Sequence, residues 1–234
     1  FYLYPIIKYG YICIQILFDM SKKSVNDFTV TENKKLNVSN YLLKLTSTTD
    51  LPLFTPGQFV NIDIANSREI FLRRPFSVFD VDYRNNSLSV LVKILGRGSK
   101  SLTQIAIGEK VSLIYPLGQS FTLPEKNEKI LAIGGGSGIA PMLFLAKETG
   151  LPTDHVDIIL GARDASEHID AGNYNKFARL HFTTEDGSLG SKGFVTHHPV
   201  FAENLKDYDK VYACGPDAMM KAVAREAKKQ GVFC

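Results

Sequence analysis

The chain has 234 residues, 44% hydrophobic and 22% charged, which is ordinary globular composition with length enough for one large or two modest domains. Its formal charge of +3 is small, and no run of like charges or Arg/Lys stripe interleaved with aromatics is present, so nucleic acid is not an expected partner. Three cysteines, Cys13, Cys214 and Cys234, form no Cys-x-x-Cys pair; this argues against a disulfide framework or a metal site and for a reducing compartment, the cytoplasm by default.

The first eighteen residues are apolar (FYLYPIIKYGYICIQILF) but carry Pro5, Lys8 and Gly10. They lack a basic leader region and a small-residue cleavage site, and barely reach the ~20 apolar residues of a spanning helix. Met20, followed by Ser21-Lys22-Lys23-Ser24, reads as a natural start. Residues 1–19 are therefore expected to be an extension from upstream, with a weak anchor or an added strand as alternatives.

Six short β-rich runs follow, over residues 25–30, 41–46, 59–64, 76–81, 88–95 and 111–115. At this spacing they predict an antiparallel barrel or sandwich. Thr55-Pro56-Gly57-Gln58 supplies a turn before the third run, and residues 99–105 have room for one or two helical turns. After Pro124 the period changes. Strands are predicted over 129–133, 156–160, 180–183 and 210–214, with helices over 138–147 and 217–229, an alternation that implies a parallel sheet covered on both faces. The polar stretch 124–128 is the expected boundary, giving domains 20–124 and 125–234.

Several segments carry chemistry. In Arg73-Arg74-Pro75-Phe76-Ser77, a proline in a strand-like run belongs at an edge or bulge. Arg74 can bind phosphate oxygens bidentately, Phe76 can wall a flat ring system and Ser77 can bond its polar edge, which is what a flavin dinucleotide requires. The alternative is an edge strand with solvated arginines. Downstream, Leu91-Val92-Lys93 and Gly96-Arg97-Gly98-Ser99 lead into a helix start. Gly98 and Ser99 near its N-cap could be phosphate ligands, or the segment is a plain turn with a capping serine.

Gly134-Gly135-Gly136-Ser137-Gly138 follows a short apolar strand and opens a helix, with Ala140-Pro141 in its first turn. This is the strand-to-helix junction where dinucleotides bind, although the spacing is not G-x-G-x-x-G. Cys214-Gly215-Pro216-Asp217 ends another strand, where a thiol can lie beside a nicotinamide or simply be buried. The loop 184–193 could hold ribose or adenine, or be a surface loop. His197 and His198 precede Pro199 at a predicted helix start, and no histidine has partners at ligand or triad spacing. No G-x-S-x-G elbow or Walker lysine loop occurs, and no catalytic side chain is singled out.

A barrel bearing R-P-F-S and G-R-G-S, followed by G-G-G-S-G-I-A-P and C-G-P-D on an α/β half, resembles the ferredoxin-reductase superfamily. Within it, the runs L-R-R-P-F-S-V at Leu72, P-L-G at Pro116, G-A-R at Gly161 and T-E-D-G-S-x-G-x-K-G at Thr184 are similar to the electron-transfer subunits of NAD-dependent, class 1B dihydroorotate dehydrogenases. The resemblance implies that Arg74, Pro75, Phe76, Ser77, Leu91, Val92, Lys93, Gly98 and Ser99 bind FAD. It implies that Gly134, Gly135, Gly136, Ser137 and Gly138, with Cys214, Gly215 and Pro216, face NAD. It further implies a hetero-oligomer with an FMN-containing catalytic subunit that oxidises dihydroorotate to orotate, reached through a [2Fe-2S] cluster. Such a cluster needs four cysteine thiolates in a closely spaced group. Residues 1–234 contain no such group, so the iron–sulfur segment is expected to be missing from this chain. The alternatives are a flavin reductase of the superfamily serving another acceptor, and a nucleotide-binding module without turnover.

Overall fold

The computed structural model describes residues 23–64 and 72–234; the expectations for residues 1–19, Met20 and Cys13 lie outside the described residues. Six strands form a closed antiparallel barrel, which decides between the two architectures left open above: β1 (Ser24–Lys35), β2 (Asn40–Ser47), β3 (Phe59–Ile62), β4 (Arg74–Asp82), β5 (Ser87–Lys93) and β6 (Lys110–Leu117), ordered β1-β2-β5-β4-β3-β6. Alternation builds its core, because successive strand side chains point to opposite faces. Phe28 and Val30 of β1, Leu43 and Leu45 of β2, Val90 and Val92 of β5, and Leu113 and Tyr115 of β6 all point inward and are buried. Each contributes roughly 1.5–3 kcal/mol by leaving water. Register shifts at Val30/Glu32, Phe59/Asn61 and Val78/Asp80 bend the strands enough to close the ring. Between β5 and β6, helix α1 (Arg97–Leu102) drops the fully buried Leu102 into the barrel core.

The second half is a five-stranded parallel sheet of β7 (Ile130–Gly135), β8 (Val156–Ala162), β9 (Arg179–Thr184), β10 (Ser191–Lys192) and β11 (Lys210–Cys214), ordered β10-β9-β8-β7-β11. Every residue of the interior strand β7 is buried, as expected of a strand covered on both faces. On one face lies α2 (Ile139–Glu148), whose residues Ile139 to Ala146 are all buried. A helix apolar all round must be packed all round: Met142 and Leu143 join the sheet cluster while Phe144 joins the barrel cluster. The other face packs against α4 (Asp217–Gln230) through Val223 and Ala227, and α4 ends at Gly231 in the left-handed conformation, φ +75°. The short helix α3 (Pro199–Ala202) is capped by His198, whose Nδ1 accepts from the Val200 amide at 3.2 Å.

Barrel and sheet are bound to one another away from their clefts as well. Lys147 of α2 pairs with Asp80 of β4, the Tyr212 hydroxyl donates to the Thr122 carbonyl at 2.7 Å, and Phe79 meets Tyr174 edge-on at 5.8 Å. The two-residue strand β10, inside the polar loop 184–193, has no counterpart in the sequence reading. Among the described residues no helix is long and apolar enough to cross a membrane.

Candidate functional site

β4 pairs with β3 along 74–77 but with β5 only from Val78 onward. The stretch Arg74 to Ser77 therefore has one unpaired side, where Pro75 interrupts no second ladder. That open side faces the end of the parallel sheet across a cleft of about 440 Å³. From the barrel come Pro75, Phe76, Ser77, Leu91 and Lys93; from the sheet come Gly135, Gly136, Ser137 and Gly138, then Cys214, Gly215 and Pro216. Two groups of residues singled out separately in the sequence thus form opposite walls of one space.

Five of the singled-out residues do not line it. The Val92 side chain is in the barrel core, leaving only its main chain for a ligand. Arg74 lies at the barrel mouth, its Nη1 donating to the Leu72 carbonyl at 2.9 Å. Gly98 is what lets it lie there, because a Cβ at this position would stand 3.0 Å from Arg74 Nε and 2.8 Å from Ile64 Cδ1. Ser99 stands near the N-cap of α1, as the sequence suggested. The N-cap of α1 is Gly96, and Ser99 sits at the third helical position, where its hydroxyl accepts from the Leu95 and Gly96 amides at 2.8 and 3.2 Å. Its hydroxyl also donates to the Gly96 carbonyl at 3.2 Å, so it is committed to closing the turn. Gly134 lies within β7, pressed against the start of α2.

The glycine turn after β7 is a 3-10 turn over Gly136–Gly138 that runs into α2. Gly136 has φ +57°, and nothing lies closer to an added Cβ than Lys93 Nζ at 3.5 Å; here glycine serves backbone conformation and leaves the space open. At Gly138 an added Cβ would stand 2.0 Å from the Cys214 carbonyl oxygen, so close packing of the turn on β11 demands glycine. The turn Gly136–Gly138 lines the cleft and runs into α2, so the positive end of that helix's dipole lies at the cleft, an arrangement suited to phosphate. Burial pushes the Cys214 thiol up from its ordinary value, which keeps it a neutral side chain rather than a nucleophile.

A second cleft of about 500 Å³ continues from the first over the sheet's carboxyl ends and shares Lys93, Gly135, Gly136 and Pro216 with it. Gly161 and Ala162 line it at the end of β8 with Arg163 and Glu167 beyond, Thr183 and Glu185 at the end of β9, Phe194 to Thr196 beyond β10, and Met219 from α4. Glu167 is the electrostatic centre: its carboxylate bonds Arg163 on one oxygen and stands 3.2 Å from Lys93 Nζ on the other. Arg163 first, and Lys93 with it, hold the Glu167 carboxyl below the usual carboxylate range. Phe194 is 58% exposed at the mouth, an open aromatic face on which a base can stack. Glu167, Phe194 and Met219 belong to no motif in the sequence, whereas Arg163 stands in the G-A-R run at Gly161 and Glu185 in the loop 184–193 read as a possible holder of ribose or adenine. Loop 184–189 is ordered by itself, Thr184 Oγ1 exchanging bonds of 2.9 and 3.0 Å with Leu189.

These clefts suit a flavin and a dinucleotide: apolar walls at Phe76 and Leu91, a hydroxyl at Ser77, and a glycine cradle at a helix N-terminus. An iron–sulfur cluster does not fit the described residues. Cys214 and Cys234 stand apart as free cysteines, and among the described residues no group of three or more His, Cys, Asp or Glu side chains could hold a metal ion.

Comparison with known proteins gives the same two parts. The oxidoreductase FAD-binding domain model matches residues 27–122 and the oxidoreductase NAD-binding domain model residues 132–225. The chain is 35% identical over 211 residues to the dihydroorotate dehydrogenase B (NAD(+)) electron transfer subunit of Fusobacterium nucleatum subsp. nucleatum, covering 88% of this chain and 82% of that protein. Among solved structures, a ferredoxin reductase of carbazole 1,9a-dioxygenase superposes with a TM-score of 0.75 at 23% identity, covering 90% of this chain and 67% of the other. An NADH-dependent reduced ferredoxin–NADP oxidoreductase superposes with a TM-score of 0.73 at 26% identity, covering 88% and 73%.

Proposed function

This chain belongs to the family of dihydroorotate dehydrogenase B (NAD(+)) electron transfer subunits, and from that premise we propose that it passes electrons between NAD and FAD on behalf of a catalytic partner subunit. The partner is proposed to carry FMN and to oxidise dihydroorotate to orotate, so that this chain couples that oxidation to NAD+ reduction in the cytoplasm. Residues 20–124 are proposed as the FAD-binding domain and residues 125–234 as the NAD-binding domain.

FAD, when bound, supplies reversible hydride exchange with the nicotinamide. The chain's own residues bind and orient. In this reading Phe76 and Leu91 wall the flavin ring, Ser77 bonds its polar edge, and Arg74 with the first-turn amides of α1 takes the FAD pyrophosphate. The Gly136 turn and the N-terminus of α2 take the NAD pyrophosphate, while Arg163, Glu185 and Phe194 surround the adenosine end. The neutral Cys214 and the side-chain-free Gly215 keep the space between the two rings clear of charge and of water. No side chain is assigned a proton to donate or accept.

The observation that carries this reading is that the two clefts meet at Lys93, Gly135, Gly136 and Pro216, so a ring held on the barrel edge and a dinucleotide held on the sheet can touch. Purified chain reconstituted with FAD is expected to turn yellow, and NADH to bleach it under anaerobic conditions. Protein that stays colourless after FAD addition would sink the proposal. Addition of the catalytic subunit is expected to yield dihydroorotate-dependent NAD+ reduction; bleaching without that coupling would point to another acceptor.

A further inference from the structure

The 3-10 turn Ala165–Glu167, followed by His168, borders the second cleft through Glu167, whose partner Lys93 lines both clefts. Its main chain is tied to the barrel. Asn37, in the turn between β1 and β2, donates from Nδ2 to the carbonyls of Glu167 and His168, both at 3.0 Å. The amide of Asn37 cannot swivel, because its Oδ1 accepts from the amides of Ser39 and Asn40 at 3.0 and 2.8 Å and from Asn40 Nδ2 at 3.0 Å. On the sheet side the same turn is fixed by Asp164, which accepts from the Ser166 amide at 2.8 Å, and by Ser188, which accepts from the Ala165 amide at 2.8 Å.

The Glu167 side chain repeats the bridge. It spans Lys93 of the barrel and Arg163 of the sheet, with 9% of the side chain exposed against 18% for Lys93. An ammonium on a mostly buried side chain needs a partner, and Glu167 decides where that ammonium sits: beside the Gly136 turn, at the boundary of both clefts. The other ties named above, Lys147 with Asp80, Tyr212 with Thr122 and Phe79 with Tyr174, line neither cleft.

We propose that Glu167 is a positioning residue for hydride transfer, which holds Lys93 over the Gly136 turn and pins the barrel's open edge against the end of the sheet. This rests on the FAD and NAD reading above. Reacting rings must be aligned within about an ångström for fast transfer, and misplacement of that order costs about a hundredfold in rate. A residue that fixes the two supports therefore acts on rate more than on affinity.

The experiment uses the full chain loaded with FAD and mixed rapidly with NADH, comparing wild type, Glu167→Gln, Lys93→Gln and the double variant. Glu167→Gln keeps shape and removes charge. The expected result is a limiting rate of flavin bleaching at least about tenfold lower, with NADH affinity changed by no more than about twofold, and a double variant no slower than the slower single, since residues acting as one unit are not additive. In cofactor-free protein, Glu167→Gln is expected to speed amide exchange in residues 165–168 and 36–41. A Glu167→Gln chain bleached at the wild-type rate, or one that loses affinity at an unchanged limiting rate, overturns the proposal, as does unchanged exchange in those two segments. Wild type that binds FAD but is not bleached by NADH overturns the functional reading instead.

Discussion

The barrel and the sheet make their share of the site in opposite ways. In the barrel the cleft lies where a hydrogen-bond ladder stops: β4 leaves β5 at Val78, and the open stretch 74–77 is surplus to a core made by Phe28, Leu43, Val90 and Leu113. In the sheet the cleft lies where strands must end, and the same glycines that shape it also pack β7 against α2 and β11. Function and fold are separable in the barrel and inseparable in the sheet. Substitutions at the barrel's wall should then change binding at constant stability, whereas substitutions in the sheet should cost stability first.

The largest effect is expected beneath the sheet, at Asp157 of β8, which is almost fully buried. Its carboxylate accepts from Arg179 Nε at 3.0 Å and from the Tyr208 hydroxyl at 2.7 Å, and stands 2.7 Å from His181 Nε2. Burial would push this carboxyl up, but the bonds from His181, Arg179 and Tyr208 outweigh it and hold it far below the ordinary range. Asp157→Ala leaves Tyr208 and His181 without their acceptor, and breaking such a buried pair costs about 3 kcal/mol; urea unfolding measures it. Next comes Gly138→Ala, where the new methyl would stand 2.0 Å from the Cys214 carbonyl. Backbone must move, at about 1–3 kcal/mol, and NAD affinity in a calorimetric titration is expected to fall with stability. A stable Gly138→Ala chain that merely loses NAD would break the comparison.

How much of this was legible in sequence follows the same division. Alternation is local, so the barrel strands could be read from pairs such as Phe28 and Val30 or Leu43 and Leu45, and the buried run of β7 could be read as a covered strand. The glycine turn and the Cys214 strand end were legible because strand-to-helix junctions carry their own residue types. Ser99 was legible only as a residue near the start of α1, because glycine and serine both cap helices well; Gly96 takes the N-cap and Ser99 the third helical position. Strand β10 is two polar residues in a glycine-rich loop and offers no period to detect. Glu167 was invisible for a different reason: it lies in a polar stretch, and its partner Lys93 is 74 positions away, a proximity that only the docking of the barrel on the sheet creates.

A smaller and more diffuse effect, carried by groups of the sheet half, is read by pH. Burial first lowers the pKa of His168 and of His198 below 6.5, and both belong to the sheet half. The folded protein then holds fewer protons than the unfolded chain in the window just under 6.5, so stability is fully present above that value and declines as pH falls through it. The carboxylates Glu167, Glu128 and Asp157 have depressed values, and their contribution is lost only at lower pH, beginning below about 4.5. Thermal midpoints measured across pH should show a first shallow decline. His198→Asn, which keeps a cap for α3, together with His168→Gln, should flatten that first decline and leave the acid one; an unchanged profile would place its source elsewhere.

The smallest stability effect, and the sharpest test of separability, is expected at Ser77. Phe76 is a poorer probe because it packs partly against the barrel cluster, so its truncation mixes wall and core. Ser77 lines the cleft from a half-buried position at the end of the one-sided pairing with Phe59, and removing its hydroxyl deletes one polar contact without opening a core cavity. Ser77→Ala should leave urea stability within about 0.5 kcal/mol, as for substitutions away from packed features. It should slow NADH-driven bleaching of the FAD-loaded chain by roughly five- to tenfold, the worth of one hydrogen bond of about 1 kcal/mol. Equal losses of stability at Ser77 and at Gly138 would mean that the barrel's open edge supports the ring closure after all, and the division between a dispensable wall and an indispensable one would fall.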